Sequence, residues 1–394
     1  MSDYQLTFKL KQHTPLIHFQ WDQKGATLRA SEVKPKLDKF LIEKLALTKT
    51  IHINGKDMIV PKQNYESWFN NKEKLSLDYK VRITDLDSEP FIGEVVVMPP
   101  TIENWVLSKD ISLELTTFHL NLKKEIKSLI TLFFCLTNFG KRQNKGFGCF
   151  YPDSLTEEVF TKEIIKNGKS LYKSNQNLRD NIQTSTYFYD NIIAKKWGEL
   201  KSGVNIFLRP TSIYIKSSVF RYLEDKTIRW DKRWIKRNIK SLIHSGQLSE
   251  DLAQRKFDPI DLNKRNSWND TTNEAYRFGR AMLGLAEHYE FLTVNRNVKY
   301  KVNVSHNEIE RFKSPVLFKI FERSMFAIDE YIPSEMFSTP FSFEVQKKIK
   351  TNNEWHDYGH PIAFTSNLET PAASQFNLVQ FLTNYLPSIG FKKV

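Results

Sequence analysis

An α+β protein built from two modules is the fold class this sequence predicts. Three observations predict it. Alternating apolar strands and 3.6-periodic helices interleave over the first 150 residues, a polar Asn/Lys/Ser-rich stretch follows, and the mixed pattern then resumes. With 394 residues and 40% hydrophobic content, the chain can bury a sizeable core across two or three domains.

Residues 5–11 alternate, with Leu6, Phe8 and Leu10 on one face and Thr7, Lys9 and Lys11 on the other, which is a strand. His13-Thr14-Pro15 interrupts it and a loop spans 20–29. A helix over about 31–47 follows, with Leu37, Phe40, Leu41 and Leu45 at helical spacing; Pro35, tolerable only near a first turn, argues for a later start. Residues 79–84, 91–98 and 113–120 read as strands. Asn121 can cap a helix over 122–137 whose apolar set includes Ile126, Leu129, Ile130, Phe133 and Phe134. A short strand near 147–151 completes a β-α-β-β-α-β order with inserted strands, a ferredoxin-like or RRM-like plan. The expected division is a first module over 1–152, a polar helical linker over 153–203 and a second α+β module over 204–394. In that second module, strands are expected near 205–215, 299–304, 316–328 and 341–348, and helices near 228–243, 272–289 and 375–385.

Lys and Arg number 58 against 45 Asp and Glu, a net +13. That excess points to a polyanionic partner, nucleic acid rather than membrane, because no basic amphipathic terminus stands out. No apolar run reaches membrane-spanning length, and Met1-Ser2-Asp3-Tyr4-Gln5 lacks the basic and apolar regions of a signal peptide, so a cytoplasmic location is expected. The two cysteines fit a reducing compartment. Cys135 reads as a small buried hydrophobe, and neither it nor Cys149 has a partner at zinc-ligand spacing; no metal or other cofactor is expected.

The most telling stretch is the loop Gly140-Lys141-Arg142-Gln143-Asn144-Lys145-Gly146-Phe147-Gly148-Cys149-Phe150. Lys141, Arg142 and Lys145 sit there among Gly140, Gly146 and Gly148, with no acid. Glycine admits φ > 0 and removes the Cβ atoms that would hold a phosphate away. Arg142 adds a planar fork for phosphate oxygens, Asn144 lies between the cations, and Phe147 offers a face for a base. A solvated turn is the plainer alternative.

Between Arg209 and Lys240, ten Lys or Arg stand against three acids, with Tyr214, Phe220, Tyr222, Trp230 and Trp234 interleaved. Ile228, Ile235, Ile239, Leu242 and Ile243 form an apolar stripe, and Arg229, Lys232, Arg233, Lys236, Arg237 and Lys240 cover the remainder. Such a face suits a phosphate backbone with bases stacked on rings; the alternative is a solvated face with the tryptophans in the core. The entry to the first helix carries Arg29, Ser31, Lys34 and Lys36, whose charges and nearby free amides would receive a phosphate, unless Ser31 is a simple N-cap.

No catalytic residue is assigned. Asp22 and Asp38 are the acids nearest these loops, each with an ordinary reading as a loop residue or a helix-surface charge. His356 and His360 suggest a metal pair, but Gly359 and Pro361 oppose the helix that would bring both imidazoles together. No Walker loop, Gly-x-Ser-x-Gly or dinucleotide fingerprint occurs, so binding outranks catalysis.

Four motifs together carry a resemblance. Phe8 to Leu16 is similar to a first strand ending in Thr-Pro-Leu. Leu28-Arg29-Ala30-Ser31-Glu32-Val33-Lys34-Pro35 is similar to a Leu-Arg-x-Ser-x-x-Lys-Gly helix start, with Pro35 in place of the glycine. The loop from Gly140 matches Gly-x-Arg-x-x-(Arg/Lys)-Gly-x-Gly between a second helix and a last strand, and Arg311 to Leu317 resembles (Arg)-x-x-Ser-Pro-Leu. These motifs resemble the RAMP superfamily of CRISPR-associated proteins, most closely the family of first Cmr subunits of type III-B effector complexes. The resemblance implies two ferredoxin-like (RRM-like) modules with insertions. It implies an RNA-binding subunit of a CRISPR type III ribonucleoprotein that contacts the 3′ region of the guide RNA and captures target RNA in antiviral defence. Other Cmr/RAMP subunits are the implied partners, and no membrane. Lys141, Arg142, Lys145, Gly146 and Gly148 are thereby placed at RNA, with Arg29, Ser31 and Lys34 next. The rival reading is a RAMP endoribonuclease that processes guide precursor or cuts target RNA, with Asp22 or a histidine such as His18 acting.

Overall fold

The computed structural model describes residues 3–17, 27–53, 55–87, 91–98, 101–176, 178, 193–207, 212–253, 276–285 and 288–394. They fall into two compact units, the first of residues 1–194, 317–328 and 390–394, the second of 195–316 and 329–389.

In unit 1 the alternating strand Gln5–Gln12 pairs antiparallel with both Ile111–Thr116 and Phe150–Pro152, and Ile111–Thr116 pairs with Lys80–Asp85. The register sets Phe8 opposite Leu113. Helix α1 (Ala30–Lys44) comes after the first strand, and α2 (Leu120–Leu136) leads toward the last. Their apolar faces, Val33, Leu37 and Leu41 on one and Ile126, Ile130, Phe133 and Phe134 on the other, are buried. Phe139 lies with its ring 5.8 Å from both Phe134 and Phe150, closing the core beneath the loop. A second four-stranded sheet runs in the order Val316–Phe321, Ser324–Asp329, Leu171–Ser174, Phe391–Lys393. Helix α3 (Glu157–Lys166) begins at a true cap, Thr156, whose hydroxyl accepts from the amide of Val159 at 3.3 Å. The stretch expected as a polar linker therefore supplies α3 and an inner strand.

Three local expectations are corrected. Helix α1 starts at Ala30, so Ser31 lies inside its first turn and Arg29 holds the cap position. Pro35 sits at the sixth helical position; it is exposed, so the missing N–H falls on the solvent side. The run 316–328 is a hairpin rather than one strand, with Glu322 at φ +50° in its turn.

Unit 2 sets the helix Asp231–His244 on an antiparallel sheet of His288–Leu292, Val298–Ser305, Pro340–Thr351 and Glu354–Ala363. Trp234 stacks edge-on against Phe343 at 5.2 Å and Phe364 at 5.7 Å. The helix expected over 272–289 is not formed across 276–285. Tyr276–Arg277 pairs instead with Arg229–Trp230, and a 3-10 turn, Gly279–Leu283, follows. Gly279 presses on Leu223 where a Cβ would collide, and Gly284 adopts φ +103°, so backbone approach overrides the periodicity. Among the described residues no helix is long and apolar enough to cross a membrane.

Candidate nucleic-acid interface

The loop that follows α2 is fixed by its backbone. The amide of Lys141 donates to the carbonyl of Ile17 at 2.8 Å, and that of Gly148 donates to Pro15 at 2.9 Å. Within the loop, Lys145 N–H reaches Arg142 O at 2.7 Å, and Arg142 itself takes φ +56°. Gly140, Gly146 and Gly148 have φ of +74°, +79° and +65°. A Cβ on Gly140 would lie 2.5 Å from the Ile17 carbonyl oxygen, and one on Gly148 would run into that of Phe139. The glycines are thus required first by the loop's close contact with its own stem and with residues 14–17.

The far side of the loop rests on the strand Val316–Phe321. Phe318 N–H donates to Asn144 O at 3.2 Å, and Asn138 Nδ2 donates to Gln143 O at 2.6 Å and Phe318 O at 2.9 Å. Beside them Lys319 is wholly buried and donates to Phe134 O, Thr137 O and Asn138 Oδ1 at 2.8, 2.8 and 2.7 Å. It meets the carbonyls that the end of α2 leaves unpaired, at the negative end of the helix dipole. Burial pushes its amine down to about 8.

The first turn of α1 closes the arrangement. Glu32 Oε1 accepts from Gly140 N–H at 2.7 Å and from Lys36 at 2.8 Å, while Lys36 Nζ also donates to Asn138 O and Gln143 Oε1, each at 2.9 Å. Two basic segments 108 residues apart in the chain are thereby joined. Lys141, Arg142, Asn144 and Lys145 are partly exposed there, although the Lys145 amine and Arg142 Nε are themselves buried. Arg29, partly exposed, stands at the helix start, and exposed Ser31 lines a separate cavity with Lys34, Asp38 and Ser76. Lys34 is directed elsewhere, onto Asp38 Oδ2 at 2.8 Å and Leu77 O at 2.9 Å, over the Tyr79 ring. Phe147 is 0% exposed, so its ring belongs to the core and presents no face to a base. Gly146 and Gly148 are likewise buried.

On the basic segment of unit 2, Arg233, Arg237 and Lys240 are exposed, and Arg229, Lys232 and Lys236 partly so. Its rings are not available for stacking: Phe220, Tyr222, Trp230 and Trp234 are all buried, Trp234 on the inward stripe of the helix Asp231–His244 and Phe220 and Tyr222 on the preceding helix Ser218–Glu224. Arg209 lies outside the described residues, as do the candidate acid and base Asp22 and His18. Asp38 is buried and ion-paired. His356 and His360 are exposed on the strand Glu354–Ala363, with Gly359 at φ +72° between them. Among the described residues no group of three or more His, Cys, Asp or Glu could hold a metal. Cys135 is buried, its thiol pushed up to about 12 by burial.

Sequence reasoning passed over Glu32, Asn138 and Lys319. The signal for Lys319 was present: it is the one cation in the apolar run Val316-Leu317-Phe318-Lys319-Ile320-Phe321. His13 was also missed. Its Nδ1 accepts from Glu322 N–H at 2.7 Å, and its ring lies 4.9 Å from those of Tyr151 and Phe321. Burial, then Lys11 and Lys319, push its pKa down to about 3.

Fold and site together define an α+β protein whose basic loop is clamped by a helix start. The family model of the Cmr1 N-terminal domain matches residues 3–204, and that of the Cmr1 C-terminal domain matches 214–391. The chain belongs to the Cmr1 family of type III-B RAMP proteins, and is thus a subunit of a CRISPR Cmr complex that partners other Cmr subunits. It is also similar to the crystal structure of apo Cmr1 from Pyrococcus furiosus, at 9% identity and a TM-score of 0.38, over 99% of this chain and 98% of that one. No curated protein matches the chain.

Proposed function

We propose that the chain is an RNA-binding subunit of its Cmr complex, contacting the 3′ region of the guide RNA and capturing target RNA, with no catalytic role of its own. The observation that carries this reading is the double clamp of Glu32 on Gly140 and of Lys36 on Gln143. It fixes the backbone that carries Lys141, Arg142 and Lys145 against the first turns of α1, the helix that Arg29 caps. Preorganised cations suit a phosphate chain, and guide-directed systems leave sequence reading to base pairing. With Phe147 buried, contact here is by charge and hydrogen bonding.

Strand order supports a ferredoxin-like reading of both four-stranded sheets. In each, the strand first in the chain lies between the last and the third, and the second flanks the third. The absence of a membrane partner and a cytoplasmic location belong to the same reading.

Replacing Lys141, Arg142 and Lys145 with alanine should weaken binding to single-stranded RNA of any sequence. The slope of log affinity against log salt should shrink by about 2, at ~0.7 per cation on a single strand. An unchanged salt titration would reject the loop's role. Incubation with labelled repeat RNA and with guide–target duplex should give no product; a clean product lost in Asp22→Ala or His18→Ala would instead establish the ribonuclease.

A further inference from the structure

Beside the basic helix face already singled out in the sequence, unit 2 contains a groove that no sequence motif marked. Along the helix Asp231–His244 the exposed cations Arg233, Arg237 and Lys240 recur at intervals of four and three, so they share one outward face. The last of them, Lys240, lines a groove of about 770 Å³ whose other cation is Arg296, exposed at the turn between His288–Leu292 and Val298–Ser305. Its apolar lining includes Leu252, Leu292 and Val294, and Leu292 and Val294 are 52% and 67% exposed.

The groove is a built feature. Ala253 N–H donates to Leu292 O at 2.9 Å and Val294 N–H to Asp251 O at 2.8 Å, so the segment 251–253 is laced to the strand end. Buried Thr293 fixes the turn through Oγ1, which lies 2.8 Å from both Asn295 O and Val298 O. Asp251 is the acid that lines it.

We infer that this groove is a nucleotide subsite of single-stranded RNA. A base lodges on the apolar floor, its flanking phosphates meet Lys240 and Arg296, and the strand approaches along Arg237 and Arg233. The volume falls within the range of small-ligand sites. Two cations in a groove lined also by Leu252, Leu292 and Val294 match the amphipathic character of a nucleotide. Asp251 can accept from an amino or imino N–H, a donor that every RNA base carries, so the groove takes any base. This inference rests on the reading of the chain as an RNA binder, and it concerns a contact separate from the loop of unit 1.

The test uses the full chain and a fluorescein-labelled unstructured 24-nucleotide RNA, followed by anisotropy across a salt series. Lys240→Ala/Arg296→Ala should weaken binding about tenfold near 0.1 M salt and flatten the slope by about 1.4, twice the ~0.7 expected per cation. Leu292→Glu, at an exposed position, should weaken binding by placing a charge on the floor. An RNA carrying 5-iodouridine should photo-crosslink to the peptide spanning 288–298. Unchanged affinity and slope in both variants overturn the groove; if the Lys141/Arg142/Lys145 variant is weakened in the same series, the loop reading stands without it. Loss confined to the groove variants sustains the groove and rejects the loop. Absence of any RNA binding by the unaltered chain overturns both. Wild-type RNA affinity, with loss of association with other Cmr subunits, identifies the groove as a protein-docking face and overturns the proposal.

Discussion

Lys319 is a cation held wholly inside unit 1, and its three acceptors explain why it is tolerated there. Removing one partner of such a set costs more than the set contributes, because the acceptors stay buried and unpaired. Lys319→Met should therefore destabilise the protein by about 3 kcal/mol in chemical denaturation, although methionine fits the apolar surroundings. His13 gives a pH-dependent counterpart. Its folded pKa of about 3 lies below the ordinary 6.5, so the unfolded chain takes up the proton first as pH falls. Stability is unaffected above about pH 6.5 and should fall by up to ~1.4 kcal/mol per pH unit below it, until the folded pKa is reached. Urea midpoints at pH 7 and pH 4.5 should differ less in His13→Gln than in the unaltered chain.

At the scale of elements, the two glycines that close the loop can be separated from a plain helix-end glycine. Gly148 combines φ +65° with a Cβ position blocked by Phe139, whereas Gly168, just beyond α3, has φ +74° and open space around it. Gly168→Ala should cost about 1 kcal/mol from backbone strain alone. Gly148→Ala should cost more, at least ~2 kcal/mol, because strain and collision add. Thermal melts of the two variants check the order. Much of this loop was legible in the sequence: α2 was expected over 122–137 and spans Leu120–Leu136, because its apolar residues recur at helical spacing. The loop's cations were legible too. The burial of Phe147 was not, since an aromatic after a glycine reads the same whether it points in or out. The hairpin of Thr48–Ile53 and Lys56–Pro61 was missed because both its strands are largely exposed and carry no inward alternation. Trp230 and Trp234 settle on the alternative the sequence left open, in the core, because the apolar stripe of the helix carries Trp234 inward with it.

For the molecule as a whole, the excess of 13 positive charges suggests a class of partner but cannot say where on the fold the cations gather. The arrangement of the fold came from contacts that no local window contains. Tyr151 Oη donates to Ile320 O at 2.9 Å, Asn138 to Phe318 O, and Ser324 Oγ to Glu157 Oε2 at 2.7 Å, each across more than 160 residues of chain. Strand pairs such as Lys173 with Phe326 and Lys392 complete the same unit from three separated stretches. A linear division into module, linker and module has no means of expressing that interleaving.

The seating of Asn144 and Asn138 on Phe318 has a temporal corollary. A ribosome makes residues 140–148 long before the support beneath them, and that support can dock only after residue 321 has left the exit tunnel. Until then the cationic bend lacks its floor. A nascent polypeptide would carry that bend still unshaped through the synthesis of more than 170 further residues, and would gain its fixed form only once residues 316–321 had emerged.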